Sequence, residues 1–409
     1  MRMNDHYCHL PVTTASPVAA KAIHGFAAEL LSHGAGARVI FDCLATDPEC
    51  ALGQAYAAAL YLTQLTREGQ RQASPHIVAA LQEVAHCDDR EVATIEAIAA
   101  WAQGNDRAAI RLLRSVVEST PHDLVAAKLC QILELGIGDI QGMLRTSAMA
   151  AAVDGRSGYA LGLHAFALDQ AGHSEVALRF ARRALGENPE LDPWAQHAVA
   201  HALLGLDQPM QARAFLHGFS HSWERCSSFM LTHNWWHLAL IELELGNRDG
   251  ALAIFDEHVW GIRKGHVQDQ INAISLLARL EMRGSKPDWR WDDIALHFGH
   301  RIDDRMNDFV DLHYLIALIG SGRSVEAHKL MCAMQDSPAA GPLAQAIVAH
   351  AGGDYEDAAL AIDPLRHDLA AIGGSNVQRE LFENIYVDSV VRARNDRWST
   401  RLNINHVAA

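Results

Sequence analysis

Apolar and small residues recur at helical spacing along most of this chain, and short polar turns interrupt them at intervals. The stretch 231–259 shows the pattern most densely. Trp235, Leu238, Ala239, Ile241 and Leu245 keep a helical period, Gly246, Asn247, Arg248 and Asp249 supply a turn, and Ala251, Ile254 and Phe255 resume the period. This predicts one antiparallel helix pair. Near the start, Pro11 marks an extended entry, and Ser16 before Pro17 reads as an N-cap with proline in the first helical turn. A helix is expected over 19–32, closed by the turn at His33 and Gly34, and a second pair over 37–45 and 51–66, broken at Asp47 and Pro48.

From about residue 89 the turns become periodic. They fall at Gly104, Gly138, Gly172, Asp207 and Gly246, with separations of 34, 34, 35 and 39 residues. A period of 34 belongs to the tetratricopeptide repeat, a helix-turn-helix unit that buries its apolar face only by stacking on neighbours. Ala109 and Pro121 follow Gly104 at the offsets at which Ala177 and Pro189 follow Gly172. The alanines allow close helix approach, and the prolines stop the second helix. Gly322 with Ala327 and Gly353 with Ala358 look like later turns, a Pro-containing loop is expected over 285–291, and a capping helix over 376–395. The predicted fold is all-α, a tetratricopeptide-like helical-hairpin superhelix or α-solenoid. Its segments are 1–88 (N-terminal pairs), 89–260 (repeats) and 261–409 (degenerate repeats and cap).

Composition narrows the function classes. The net charge of −15 argues against a nucleic-acid partner, which needs clustered Lys and Arg, and an acidic surface is kept from anionic membranes. No apolar run reaches the length of a membrane span and no leader pattern opens the chain, so a cytoplasmic protein is expected. Seven scattered cysteines without C-x-x-C read as free, mostly buried thiols. The 24 histidines against 7 tyrosines call for either a site or a coincidence.

With the turn residue at repeat position 15, positions 2, 5, 9 and 12 of the first helix point inward. His197 and His201 then share one inward stripe, and His233 and Trp236 lie on the next. His237 and His164 fall off the stripe by this count but remain candidate ligand-binding residues. Three chemistries fit the cluster. His197, His201 and His233 can share a divalent metal, with Asp256 or His258 as a further ligand. Alternatively the same histidines act as general acid or base with Asp256, while Asn234 and the tryptophans help hold a small ligand. The third is plain packing of satisfied imidazoles and indoles.

Two further constellations stand out. Arg279, isolated on an apolar helix, needs a partner, for which Asp256 and Asp311 are the expectations; His313 lies two residues from Asp311. Gly373 and Gly374 precede Ser375, Asn376 and Arg379 at a helix start. There, free amides can hold a carboxylate or phosphate, although simple capping is favoured. No P-loop, G-x-S-x-G or G-x-G-x-x-G signature occurs.

HAVAH (197–201), HNWWH (233–237), FDEHV (255–259), LLARL (276–280), DLHY (311–314) and GGSNVQREL (373–381), in this order and spacing, make the chain resemble the tetratricopeptide repeat protein 38 family. FDCLATDPE (41–49) and the start TASPVAAKAI extend the likeness over nearly the whole length. The resemblance implies an all-helical soluble protein with degenerate repeats and supplies no reaction or ligand. The leading expectation is a repeat protein binding a small molecule or a protein partner, as a monomer or an oligomer, in a His/Trp/Asp-lined pocket. The alternatives are an enzyme, metal-assisted or not, using His197, His201, His233 and Asp256, and a structural interaction scaffold.

Overall fold

The computed structural model describes residues 10–153, 157–186, 191–261, 263–286 and 288–407, with side chains as far as residue 395. Cys8 and Pro189 lie outside the described residues. These residues form α-helices with short 3-10 turns, and the only strand-like pairing among them is an isolated bridge between Gly34 and Cys226. The fold is all-α and tetratricopeptide-like. Helices pair with their sequence neighbours, and first helices stack on first helices.

The chain divides into two compact units, Met1–Asn247 and Arg248–Ala409. The three segments drawn from the sequence follow repeat regularity, and their edges do not coincide with this division. One consequence corrects the reading of 231–259 as a single hairpin: the unit boundary passes through its turn.

The first unit comprises α1 (Pro17–Leu31), α2 (Ile40–Thr46), α3 (Ala51–Leu62), α4 (Arg67–Glu83), α5 (Asp89–Ala102), α6 (Asp106–Ser119), α7 (Leu124–Gly136), α8 (Ile140–Val153), α9 (Gly158–Gln170), α10 (Ser174–Leu185), α11 (Pro193–Gly205), α12 (Pro209–Phe219) and α13 (Ser228–Glu244). The expected cap is present, with Ser16 Oγ accepting from the Ala19 amide at 3.2 Å ahead of Pro17. Ala109 and Ala177 are fully buried where paired helices approach. α7, α9, α11 and α13 lie side by side in succession, and α1 packs against α7. The Gly34–Cys226 bridge, together with the Ser227 amide donating to the His33 carbonyl at 2.6 Å, fastens the turn after α1 to the start of α13.

Hairpin turns place their residue in the left-handed region, at φ +74° for Gly104 and +81° for Gly172. Asp207 adopts the same conformation at +57°. Asp tolerates this region better than most side chains, so the register of its repeat survives the loss of glycine. The long interval before Gly246 accommodates an extra 3-10 segment, Ser220–Arg225, between α12 and α13.

The second unit comprises α14 (Arg248–Ile254), α15 (Val267–Met282), α16 (Arg290–Phe298), α17 (Asp308–Gly320), α18 (Ser324–Met334), α19 (Ala340–Gly352), α20 (Tyr355–Ile362) and α21 (Asn376–Val407). α15, α17 and α19 stack in order, and α21 packs against α15, α19 and α20. A π-helical turn, Phe255–Val259, follows α14 and carries Asp256 and His258. No described helix is long and apolar enough to cross a membrane.

Candidate metal centre

α11 and α13 are adjacent first helices, and each carries histidines four residues apart on one face. Together they place His197, His201, His233 and His237 so that one ligand-competent atom from each lies within 4.8 Å of all the others. All four are buried, none more than 3 % exposed. The Nε2 atoms of His197 and His233 are hydrogen-bonded at 3.1 Å. The ring centroid of His237 lies 4.8 Å from that of His197, 4.6 Å from His201 and 4.7 Å from His233. His237, assigned away from the interior by repeat counting, is therefore a full member. Its four-residue offset from His233 decides its face.

Behind this group, Asp169 on α9 accepts from His201 Nδ1 at 3.2 Å, and Ser174 donates to the other carboxylate oxygen at 3.1 Å. The pairing fixes the His201 tautomer and directs Nε2 away from Asp169. That Nε2 is buried without a hydrogen-bond partner, and so is His197 Nδ1. Burial and the neighbouring imidazoles hold the His197 pKa well below its usual value, so the ring is neutral.

Aromatic rings enclose the imidazoles. Trp194 stacks on His197 with centroids 4.7 Å apart, Trp236 on His233 at 5.1 Å and Phe229 on the same ring at 5.0 Å. The edge of Phe166 meets His201 at 5.4 Å. The Trp236 face, expected to help hold a ligand, is thus turned to His233.

Not every predicted site residue joins the cluster. His164 bonds Ser147 Oγ at 3.0 Å and meets Phe180 edge-on, in a separate contact. Asn234 is fully buried on α13, its amide without a hydrogen-bond partner, and is not one of the four clustered residues. Asp256 is gripped by Arg290 at 2.8 and 2.6 Å, and His258 lies 3.7 Å from Glu257. The partners expected for Arg279 are corrected as well. Asp256 is held as described, Asp311 faces Arg305 at 3.6 Å, and Arg279 donates to the backbone oxygens of Val377 at 2.9 Å and Ser275 at 3.2 Å and to Ser275 Oγ.

Arg279 and the 373–381 motif, separate in sequence, are therefore one cluster in the second unit. In it Arg379 donates to the Gly374 carbonyl and to Asn376 Oδ1, and burial lowers both guanidinium pKa values to about 10. The helix start is capped reciprocally. The Ser375 amide donates to Gln378 Oε1 at 2.9 Å and the Gln378 amide to Ser375 Oγ at 3.3 Å, which uses up two of the amides envisaged for an anion. His313 donates from Nδ1 to the Phe309 carbonyl at 2.7 Å, and burial pulls its pKa to about 4.

Asp169, Trp194, His33 and Lys128 were not singled out from the sequence. Lys128 on α7 lies 2.9 Å from His33 Nε2 and 3.6 Å from the centre of the Trp194 ring, and His33 also stacks on Trp194 at 5.0 Å.

No family model matches the chain. Among solved structures it is similar to a Rap protein complexed with competence and sporulation factor, at 12 % identity over 84 % of this chain and 99 % of that one, with a TM-score of 0.41. It is similar to a human IFIT1 dimer with PPP-AAAA, at 13 % identity over 96 % of this chain and 89 % of that one, TM-score 0.44. A tetratricopeptide repeat protein from Parabacteroides merdae is 17 % identical over 72 % of this chain and 98 % of its own, TM-score 0.29. Likenesses this distant carry neither ligand nor partner over to this chain.

Proposed function

We propose that this chain is a metal-binding helical-repeat protein in which His197, His201, His233 and His237 hold one transition-metal ion between α11 and α13. The observation that carries this reading is the convergence of four buried imidazoles together with two buried nitrogens, on His197 and His201, that lack hydrogen-bond partners. A packing histidine normally satisfies its ring nitrogens, and each orphan costs roughly 1–3 kcal/mol. Metal–nitrogen bonds of about 2.0–2.1 Å would draw one nitrogen from each ring together, and a bond to His201 Nε2 would remove the cost of that orphan. The His197–His233 separation of 3.1 Å already suits a tetrahedral edge. Imidazole ligands suit zinc, copper, nickel or iron, and the Asp169–His201 pair supplies the outer carboxylate common behind metal-bound histidine.

Four protein ligands leave a tetrahedral ion no position for substrate, so the ion fastens adjacent repeats and the centre is structural. The likeness to the tetratricopeptide repeat protein 38 family belongs to this reading, since its HAVAH and HNWWH motifs supply all four ligands. Element analysis of the gently purified full chain, followed by cobalt(II) substitution, tests the proposal. It expects one metal ion per chain and the visible absorption of tetrahedral cobalt. Absence of both, with no change in melting temperature when zinc, copper or nickel is added, overturns it.

A further inference from the structure

Lys128 is the one buried lysine of the five in the sequence, 4 % exposed, whereas Lys21, Lys286 and Lys329 are exposed and Lys264 is half-buried. A buried ammonium ordinarily has a carboxylate beside it. Here the neighbours are the imidazole of His33 and the face of Trp194. Asp192, the acid that acts on it electrostatically, lies beyond ion-pair distance. Its carboxylate instead caps α11, accepting from the Ala195 amide at 2.9 Å. Nothing in the metal centre uses this amine.

We propose that Lys128 is a nucleophilic amine site that takes a small aldehyde or keto compound and holds it as an imine. The Nζ lone pair attacks the carbonyl carbon, and the C=O π pair moves to oxygen. One N–H proton passes through His33 Nε2 to that oxygen, giving a carbinolamine. Loss of the hydroxyl, with the second N–H proton, as water forms C=N. One amine and one carbonyl thus give one imine and one water, and no electrons change hands.

Three features support the assignment. Burial brings the Lys128 pKa to about 7, so the neutral amine is abundant near neutral pH. His33 Nε2 lies within proton-transfer distance. His33 itself is only half-buried and sits on the turn after α1 at φ +52°, a conformation rare for a residue other than glycine. Of the two side chains against Nζ, His33 is the more exposed, Trp194 being buried.

The test treats the full chain, as purified and again after chelation, with glyoxylate or with propanal in the presence of cyanoborohydride, and maps adducts by peptide mass spectrometry. The proposal expects Lys128 to be labelled at least about tenfold faster than Lys21 or Lys329, and to the same extent in both preparations. It also expects the fast adduct to vanish in Lys128→Met. Labelling confined to the exposed lysines, or labelling of Lys128 only after denaturation, overturns the proposal whether or not that variant folds. Because the metal content is read separately, this result and the fate of the metal centre are independent.

Discussion

Each unit contains a buried polar cluster, and the two solve the burial problem in opposite ways. In the second unit, Arg279 and Arg379 direct donors to backbone oxygens and to Ser275 and Asn376 side chains, so the charges stitch α15 to the capped start of α21. In the first, four buried imidazoles crowd together while His197 Nδ1 and His201 Nε2 are buried without a hydrogen-bond partner. Spent donors mark a structural tie, whereas ring nitrogens left unpaired among clustered imidazoles are what the proposed cation would use.

The contrast is sharpest under metal loading. With free zinc about a thousandfold above its dissociation constant, the full chain should gain about 4 kcal/mol against chemical denaturation, a gain lost on adding chelator and absent in His201→Ala. Next in size, Arg279→Ala should cost about 3 kcal/mol through lost charge-assisted bonds, while metal stoichiometry stays unchanged. If Arg279→Ala abolished metal binding instead, the division of roles would fail. Asp169→Asn should keep the ion but weaken its binding by about 10- to 100-fold in competition with a chromophoric chelator.

The most gradual effect concerns pH. Burial raises the Asp311 pKa to about 6, so the folded state binds more protons than the unfolded one between the ordinary 3.8 and 6, and this contribution is lost as pH rises through that window. His313, lowered from 6.5 to about 4, contributes stability above 6.5 that is lost as pH falls toward 4. The two slopes oppose each other. Asp311→Asn should therefore unmask a rise in stability, relative to the parent chain, of up to about 1.4 kcal/mol per pH unit from 4 to 6. A pH-independent difference would mean that Asp311 is already charged in that range.

Much of this was legible in the chain because repeat register is a geometric rule. The same count that turned His197, His201 and His233 inward puts Lys128 at position 5 of its repeat, Asp169 at 12 and Trp194 at 2. Histidine spacing alone does not pick out these three, although the repeat register carries their signal. His237 was a candidate ligand whose face the repeat count left off the inward stripe; its four-residue offset from His233 is the signal that places it. Asp256 was drawn into the cluster by proximity in sequence, whereas the chain passes into the other unit first. Two of the partners of Arg279 are backbone carbonyls 98 and 99 residues away, which residue type does not encode.

The tie between the His33–Gly34 turn and Cys226–Ser227 has a consequence for how the first unit is made. Stacked repeats ordinarily grow by nearest-neighbour steps, each layer templating the next. Here the opening turn must wait for α13, so most of the unit has to emerge from the ribosome before its ends can meet. Closing so long a loop is slow relative to forming local hairpins. The histidines and the amine beneath His33 would thus be the last part of the unit to reach their final arrangement, and an ion arriving earlier would find only half of its ligands in place.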